Sequence, residues 1–83
     1  MTAKSSKRLE RMRSNLQNWS IEDIAALCRE HGVRCDPPRG GGSHYKISHP
    51  DLVQKLTIPA RRPIKPVYIR ELVDLIDALR TLP

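Results

Sequence analysis

The sequence has no long hydrophobic run. No apolar stretch approaches the roughly 18 residues of a membrane-spanning helix, and residues 1–19 lack the apolar segment of a secretory signal peptide. These two absences argue against a membrane or secreted protein and lead us to expect a cytoplasmic location. A length of 83 residues predicts one domain with a small core, and the 39% of apolar residues is more than a fully disordered chain contains.

Cysteine is also scarce, since the chain holds only Cys28 and Cys35. We expect two free thiols, because a reducing compartment disfavours a disulfide and Cys28 falls on the apolar side of a predicted helix. With His31 they superficially resemble a zinc motif, but a fourth ligand at a suitable spacing is missing. The glycines at 40–42 are not followed by the Lys-Ser/Thr pair of a phosphate-binding P-loop. We therefore expect no metal and no cofactor.

Acidic residues are the minority, with 9 Asp and Glu against 15 Lys and Arg and a formal net charge of +6. Residues 31–70 hold eight basic and two acidic residues, and residues 1–19 hold five and one. A basic balance of this kind favours a polyanionic partner such as RNA. We interpret residues 1–19 as a basic N-terminal arm, partly flexible or forming a short helix through Leu9, Met12 and Leu16. The arm contacts RNA or a protein partner, or is a solvated tail.

The hydrophobic periodicity of residues 20–83 predicts two helices around three strands. Ser20 is a suitable N-cap for a helix over residues 21–31, and Pro66 suits the first turn of a helix that ends near residue 80. The three predicted strands cover residues 33–35, 44–48 and 52–58.

The predicted fold is α+β, in the order helix-strand-strand-strand-helix. Both helices have an apolar stripe and the sheet has one apolar face, so we expect a three-stranded antiparallel sheet with both helices on one face. Alternation along residues 44–48 directs Tyr45 and Ile47 inward, and directs His44 and Lys46 to the open face.

The segment Gly40-Gly41-Gly42-Ser43-His44 has the greatest chemical content. Glycines let backbone amides approach a phosphate, and histidine is the side chain best suited to proton transfer near neutral pH. This arrangement suits phosphodiester cleavage, in which a base takes the proton of the RNA 2′-hydroxyl. The same residues also fit an ordinary glycine turn before a strand that carries a solvated histidine. Candidates for a second proton-transfer group are Tyr45, Lys46, His49 and water, although His49 fits a solvated turn residue better.

The candidate RNA-binding residues surround His44 in the sequence. Lys46 shares its strand face and is placed to offset charge on the phosphorane. The Arg61, Arg62 and Lys65 cluster of the proline-rich connector is placed to grip phosphates, or is a solvated loop. The predicted RNA- and phosphate-binding set is Arg39, Gly42, Ser43, Lys46, Lys55, Arg61 and Arg62.

Two motifs give the chain a resemblance to a known family. Gly42-Ser43-His44-Tyr45-Lys46, then Leu56-Thr57-Ile58-Pro59 and a helix of the Ile69-to-Leu79 kind, resemble the HicA toxins of HicA/HicB toxin-antitoxin pairs. The resemblance implies a double-stranded-RNA-binding-like fold for residues 20–83 and metal-independent cleavage of mRNA. It also implies that His44 is the catalytic residue and that a HicB-type antitoxin covers it.

Two other functions fit the same residues. A non-catalytic RNA- or DNA-binding module would use the same basic face and give His44 no special role. A domain whose basic face binds an acidic protein is the third alternative.

Overall fold

The computed structural model describes residues 6–82, which form three helices and one three-stranded antiparallel sheet. The elements in chain order are α1 (Lys7–Ser14), α2 (Ile21–Glu30), β1 (Arg34–Asp36), β2 (His44–Ser48), β3 (Leu56–Pro59) and α3 (Pro66–Arg80). The predicted α+β class and the three antiparallel strands are confirmed. Residues 1–5 of the predicted arm lie outside the described residues.

The strand β2 is the centre of the sheet, with β1 on one side and β3 on the other. Ile47 lies opposite both Cys35 and Leu56, and Tyr45 lies opposite Ile58. Ile47 and Ile58 are fully buried and belong to the same core as the apolar residues of α2 and α3. The opposite face, called here the open face, carries Arg34, Asp36, His44, Lys46 and Thr57. The predicted alternation along β2 is therefore confirmed.

The helix α2 has a capping motif at each end. The Ser20 hydroxyl accepts a hydrogen bond from the Asp23 amide, and the Asp23 carboxylate accepts one from the Ser20 amide. This capping box satisfies two amides that the first turn leaves without partners. At the other end Gly32 has a φ of 70°, and the Val33 amide donates to the Cys28 carbonyl at 2.8 Å. The predicted glycine stop is confirmed, with the bonding of a Schellman motif.

Two predicted strand boundaries are wrong. The first strand begins at Arg34, because the Val33 amide still bonds to the end of α2. The third strand begins at Leu56 and not at residue 52. The turn after β2 extends into this segment, since the Leu52 amide donates to the His49 carbonyl at 3.0 Å and Val53 is fully exposed.

The helix α1 packs on the core and is tied to both other helices. Leu9 and Met12 are fully buried. The Arg13 guanidinium donates to both Asp77 carboxylate oxygens of α3, at 2.5 and 2.9 Å, and this bond lowers the pKa of Asp77 below its usual range. Arg8 forms an ion pair with Glu30 at the end of α2. Residues 7–14 are thus a short helix of the folded domain.

None of the helices between residues 6 and 82 combines the length and apolar character needed to cross a lipid bilayer. The longest is α3, which begins with Pro66 and buries one side. Its buried residues are Ile69, Leu72, Val73, Leu75 and Ile76.

Replacing Leu9 with Ala tests the docking of α1. The change removes buried methyl groups from the core, and we expect the free energy of unfolding to fall by about 2–4 kcal/mol. Leu82→Ala is the matched control, since Leu82 is 41% exposed and should cost less than about 1 kcal/mol. Urea unfolding measures both. Equal losses in the two variants would contradict the packing of α1.

His31 predicts a pH dependence of stability. It follows α2, its Nε2 lies 3.2 Å from the Ser6 hydroxyl, and burial lowers its pKa below the ordinary value. The unfolded chain therefore binds this proton more readily than the folded one, so the His31 contribution is present above about pH 6.5 and is lost as the pH falls below it. We expect His31→Gln to flatten the pH dependence of unfolding between about pH 5 and 7.5. If the free energy of unfolding of His31→Gln varied with pH as steeply as that of wild type, this role of His31 would be contradicted.

Candidate active site and nucleic-acid interface

His44 is the first residue of β2 and its side chain is exposed on the open face. It lies opposite Pro59, and its Nδ1 is 3.5 Å from the Ser43 hydroxyl. One step before it, the Ser43 carbonyl accepts a hydrogen bond of 2.6 Å from the Ala60 amide. This bond extends the β2–β3 pairing past the strand ends, so the backbone on either side of His44 is held in place.

The glycines before His44 are explained by the turn that they form. Gly40 and Gly41 have φ values of 63° and 80°. Residues other than glycine adopt this backbone region only with strain. The Gly42 amide donates to the Arg39 carbonyl at 3.3 Å, and a Cβ added there would lie 3.3 Å from the Pro38 Cβ. The Gly42 amide is therefore engaged within the loop.

Two grooves meet at His44. The first, called here the sheet groove, has a volume of about 670 Å³ and crosses the open face. It is lined by Arg34, Asp36, Pro37, Pro38, Arg39, His44 and Lys46. The second, called here the helix groove, has a volume of about 290 Å³ and lies between the start of β2 and the start of α3. It is lined by Ser43, His44, Pro59, Arg61, Lys65 and Tyr68.

The structure brings most of the predicted binding residues to these two grooves. Arg39 and Lys46 line the sheet groove, and a further hollow of about 450 Å³ continues from Lys46 to Lys55. Ser43 and Arg61 line the helix groove. Arg62 is directed elsewhere, since its Nη2 donates to the Glu22 carboxylate at 3.0 Å. Gly42 contributes to the turn beside Pro38.

Arg34 and Tyr68 line the grooves but were not among the predicted site residues. Arg34 shares the open face because it pairs with Ser48 in the β1–β2 register. The alternation of β2 alone does not give that register. Tyr68 lies in the first turn of α3 and reaches the site only because α3 begins beside His44. No local signal in the sequence places it there.

The structure separates the candidates for a second proton-transfer group. Tyr45 lies on the inner face of the sheet, away from His44. His49 follows the far end of β2, five residues or about 16 Å along the strand, and its Nδ1 accepts a hydrogen bond from the Asp51 amide. Lys46 lies on the same face as His44, about 7 Å along the strand. Among these three side chains, Lys46 is the one beside His44.

Several cations around the grooves have no carboxylate partner in the described part of the chain. Within residues 6–82, no carboxylate forms an ion pair with Arg39, Lys46, Lys55, Arg61 or Lys65. The paired cations on the helical side are Arg8, Arg13, Arg70 and Arg80. In the sheet groove Arg34 lies 3.3 Å from Asp36, and both are solvent-accessible, so this pair is weak. The grooves therefore carry positive charge that the protein does not neutralise.

The cysteines lie away from the grooves. Cys28 is buried in the core and Cys35 is half-buried on β1, and both are free thiols. The interaction with Cys35 and then burial raise the pKa of Cys28 far above its ordinary range, so this thiol is unreactive. In the part of the chain that the structure describes, no three His, Cys, Asp or Glu side chains cluster as metal ligands do.

Comparison with protein-family models, with curated proteins and with solved structures finds no match to this chain.

The charge pattern predicts different roles for Lys46 and Arg62. Lys46→Gln removes an unpaired cation from the sheet groove, so we expect weaker RNA binding and a salt dependence reduced by about one phosphate contact. Arg62→Gln is the control and should change binding less, because Arg62 lines neither groove. Fluorescence anisotropy of a labelled single-stranded RNA over a range of KCl concentrations measures both. The reverse order of effects would contradict this interpretation.

Proposed function

We propose that this protein is a HicA-type toxin, an endoribonuclease that cleaves mRNA without a metal and uses His44 as its catalytic residue. The observation that carries the proposal is the position of His44, exposed where two grooves with unpaired cations meet. A polyanion that follows these grooves passes His44. The order of α2, the three strands and α3 agrees with the double-stranded-RNA-binding-like fold that the family resemblance implies.

The proposed reaction is a transesterification within the RNA. His44 takes the proton of a 2′-hydroxyl, and the 2′-oxygen forms a bond to the adjacent phosphorus. The bond from phosphorus to the 5′-oxygen of the next nucleotide breaks, and that oxygen takes up a proton from water. The products are a 2′,3′-cyclic phosphate and a 5′-hydroxyl. General base catalysis of this kind accelerates a reaction about 10²–10⁴-fold.

The cations around His44 stabilise negative charge in the proposed reaction. Lys46 lies on the same face as His44 and is placed to offset the negative charge that develops on the phosphorane. Arg39 lines the same groove and holds the phosphate by a bidentate contact. The Ser43 hydroxyl lies 3.5 Å from the His44 Nδ1 and is placed to hold the same phosphate.

The proposal includes a HicB-type antitoxin that inhibits the enzyme in the cytoplasm by covering His44. It is supported by the open face, where His44 and Lys46 are exposed over a broad groove. A partner that carries carboxylates on its contact surface would neutralise Lys46 and Arg39 and exclude RNA.

The test compares His44→Ala with His49→Ala on a labelled single-stranded RNA. We expect cleavage by the His44 variant to fall at least about 100-fold, while the His49 variant stays near the wild-type rate because His49 lies at the other end of β2. Cleavage should persist in EDTA, and an RNA with 2′-deoxy nucleotides should remain intact.

The opposite result has a definite meaning. If wild type and His44→Ala cut RNA equally slowly while both bind it with a steep salt dependence, the protein is the non-catalytic nucleic-acid-binding module. Loss of cutting in EDTA would contradict the metal-independent mechanism.

A further inference from the structure

The helix groove is built from several separate parts of the fold, including the connector that carries Arg61 and Lys65. Ser43 comes from the loop before β2, Pro59 from the end of β3, and Tyr68 from the first turn of α3. It shares His44 with the sheet groove but lies on the other side of that residue. A chain that crosses the open face and reaches His44 therefore has a second groove ahead of it.

The walls of the helix groove are fixed by the backbone. The Ala60 amide is bonded to the Ser43 carbonyl, so the connector leaves β3 beside the glycine loop. Ile64 is buried and its amide donates to the Trp19 carbonyl at 2.9 Å. The Tyr68 amide donates to the Lys65 carbonyl at 3.0 Å. A site on such anchored elements is preorganised, which lowers the entropic cost of binding.

The chemistry of the groove suits one nucleotide. Arg61 and Lys65 are exposed cations, neither of which forms an ion pair within residues 6–82, so they are available for a phosphate. Tyr68 is half-buried and packs on the core, which holds its ring in place. A fixed aromatic ring beside phosphate-binding cations is the arrangement on which unpaired bases stack.

We propose that the helix groove binds one unpaired nucleotide of the RNA, next to the phosphate at which the 2′-oxygen activated by His44 attacks. Its phosphate contacts Arg61 and Lys65, and its base stacks on the ring of Tyr68. The substrate is then single-stranded at this position, because a base within a duplex is paired and stacked and does not reach the ring. The inference rests on the proposed function for the statement that the neighbouring phosphate is the one cleaved.

The experiment measures binding without cleavage. The probe is a fluorescein-labelled single-stranded RNA whose 2′-hydroxyls are methylated, so that no 2′-oxygen can attack. We expect Tyr68→Leu to weaken its binding about 5- to 100-fold, as loss of one stacked base does. Tyr68→Phe keeps the ring and should bind within about twofold of wild type. A duplex of the same sequence should bind Tyr68→Leu and wild type equally.

Lysine variants provide an independent readout that does not disturb the core. Lys65→Gln should lower the salt dependence of binding by about one phosphate contact. Lys7→Gln is the matched control, since Lys7 is exposed on α1 and lines neither groove. Thermal unfolding checks that each variant is folded. If Tyr68→Leu is unfolded, the comparison of Lys65 with Lys7 decides the proposal.

The outcomes separate this inference from the proposed function. Equal binding by wild type, Tyr68→Leu and Lys65→Gln would overturn the nucleotide site, whatever the His44 variant does to cleavage. Equal losses in Tyr68→Phe and Tyr68→Leu would overturn base stacking, since the hydroxyl would then be the contact. If the Tyr68 and Lys65 effects appear but His44→Ala cuts RNA as wild type does, the site stands and the catalytic role of His44 fails.

Discussion

The burial of Ile47 at the centre of the sheet is the constraint on which the site depends. Ile47 has a neighbour from β1 on one side and from β3 on the other, and it is fully enclosed. Because side chains alternate along a strand, fixing Ile47 inward fixes His44 and Lys46 outward. A slip of one residue would bury both polar side chains and expose the apolar ones. The core therefore determines the register, and the register determines which residues lie on the open face.

The same constraint explains how much was predictable from the sequence. The capping box at Ser20, the glycine at position 32 and the alternation along β2 are local signals, and the structure agrees with them. The sequence predicts too early a start for β3, because the turn that begins at His49 continues past Pro50 to Leu52. Tyr68 was missed because its place beside His44 results from the packing of α3.

The connector shows the limit of sequence reasoning about charge. Arg61 and Arg62 are neighbours with the same side chain and were predicted to act alike, yet Arg61 lines the helix groove and Arg62 pairs with Glu22. On the helical side, Arg8 and Arg13 join neighbouring helices through Glu30 and Asp77. Near His44, Arg34 has a solvent-accessible partner in Asp36, while Arg39, Lys46, Arg61 and Lys65 have no carboxylate partner within residues 6–82. Composition gives the excess of positive charge, and only the fold shows where that excess is unneutralised.

The edges of the sheet have a consequence for how the protein behaves in concentrated solution. An unpaired outer strand is a template for adding strands from other molecules. Here β1 has three residues and ends at the charged Asp36, while β3 has four and ends at Pro59, which has no amide hydrogen to donate. Both edges are thus poor templates for aggregation. The chain can leave the face around His44 uncovered and still resist edge-to-edge association.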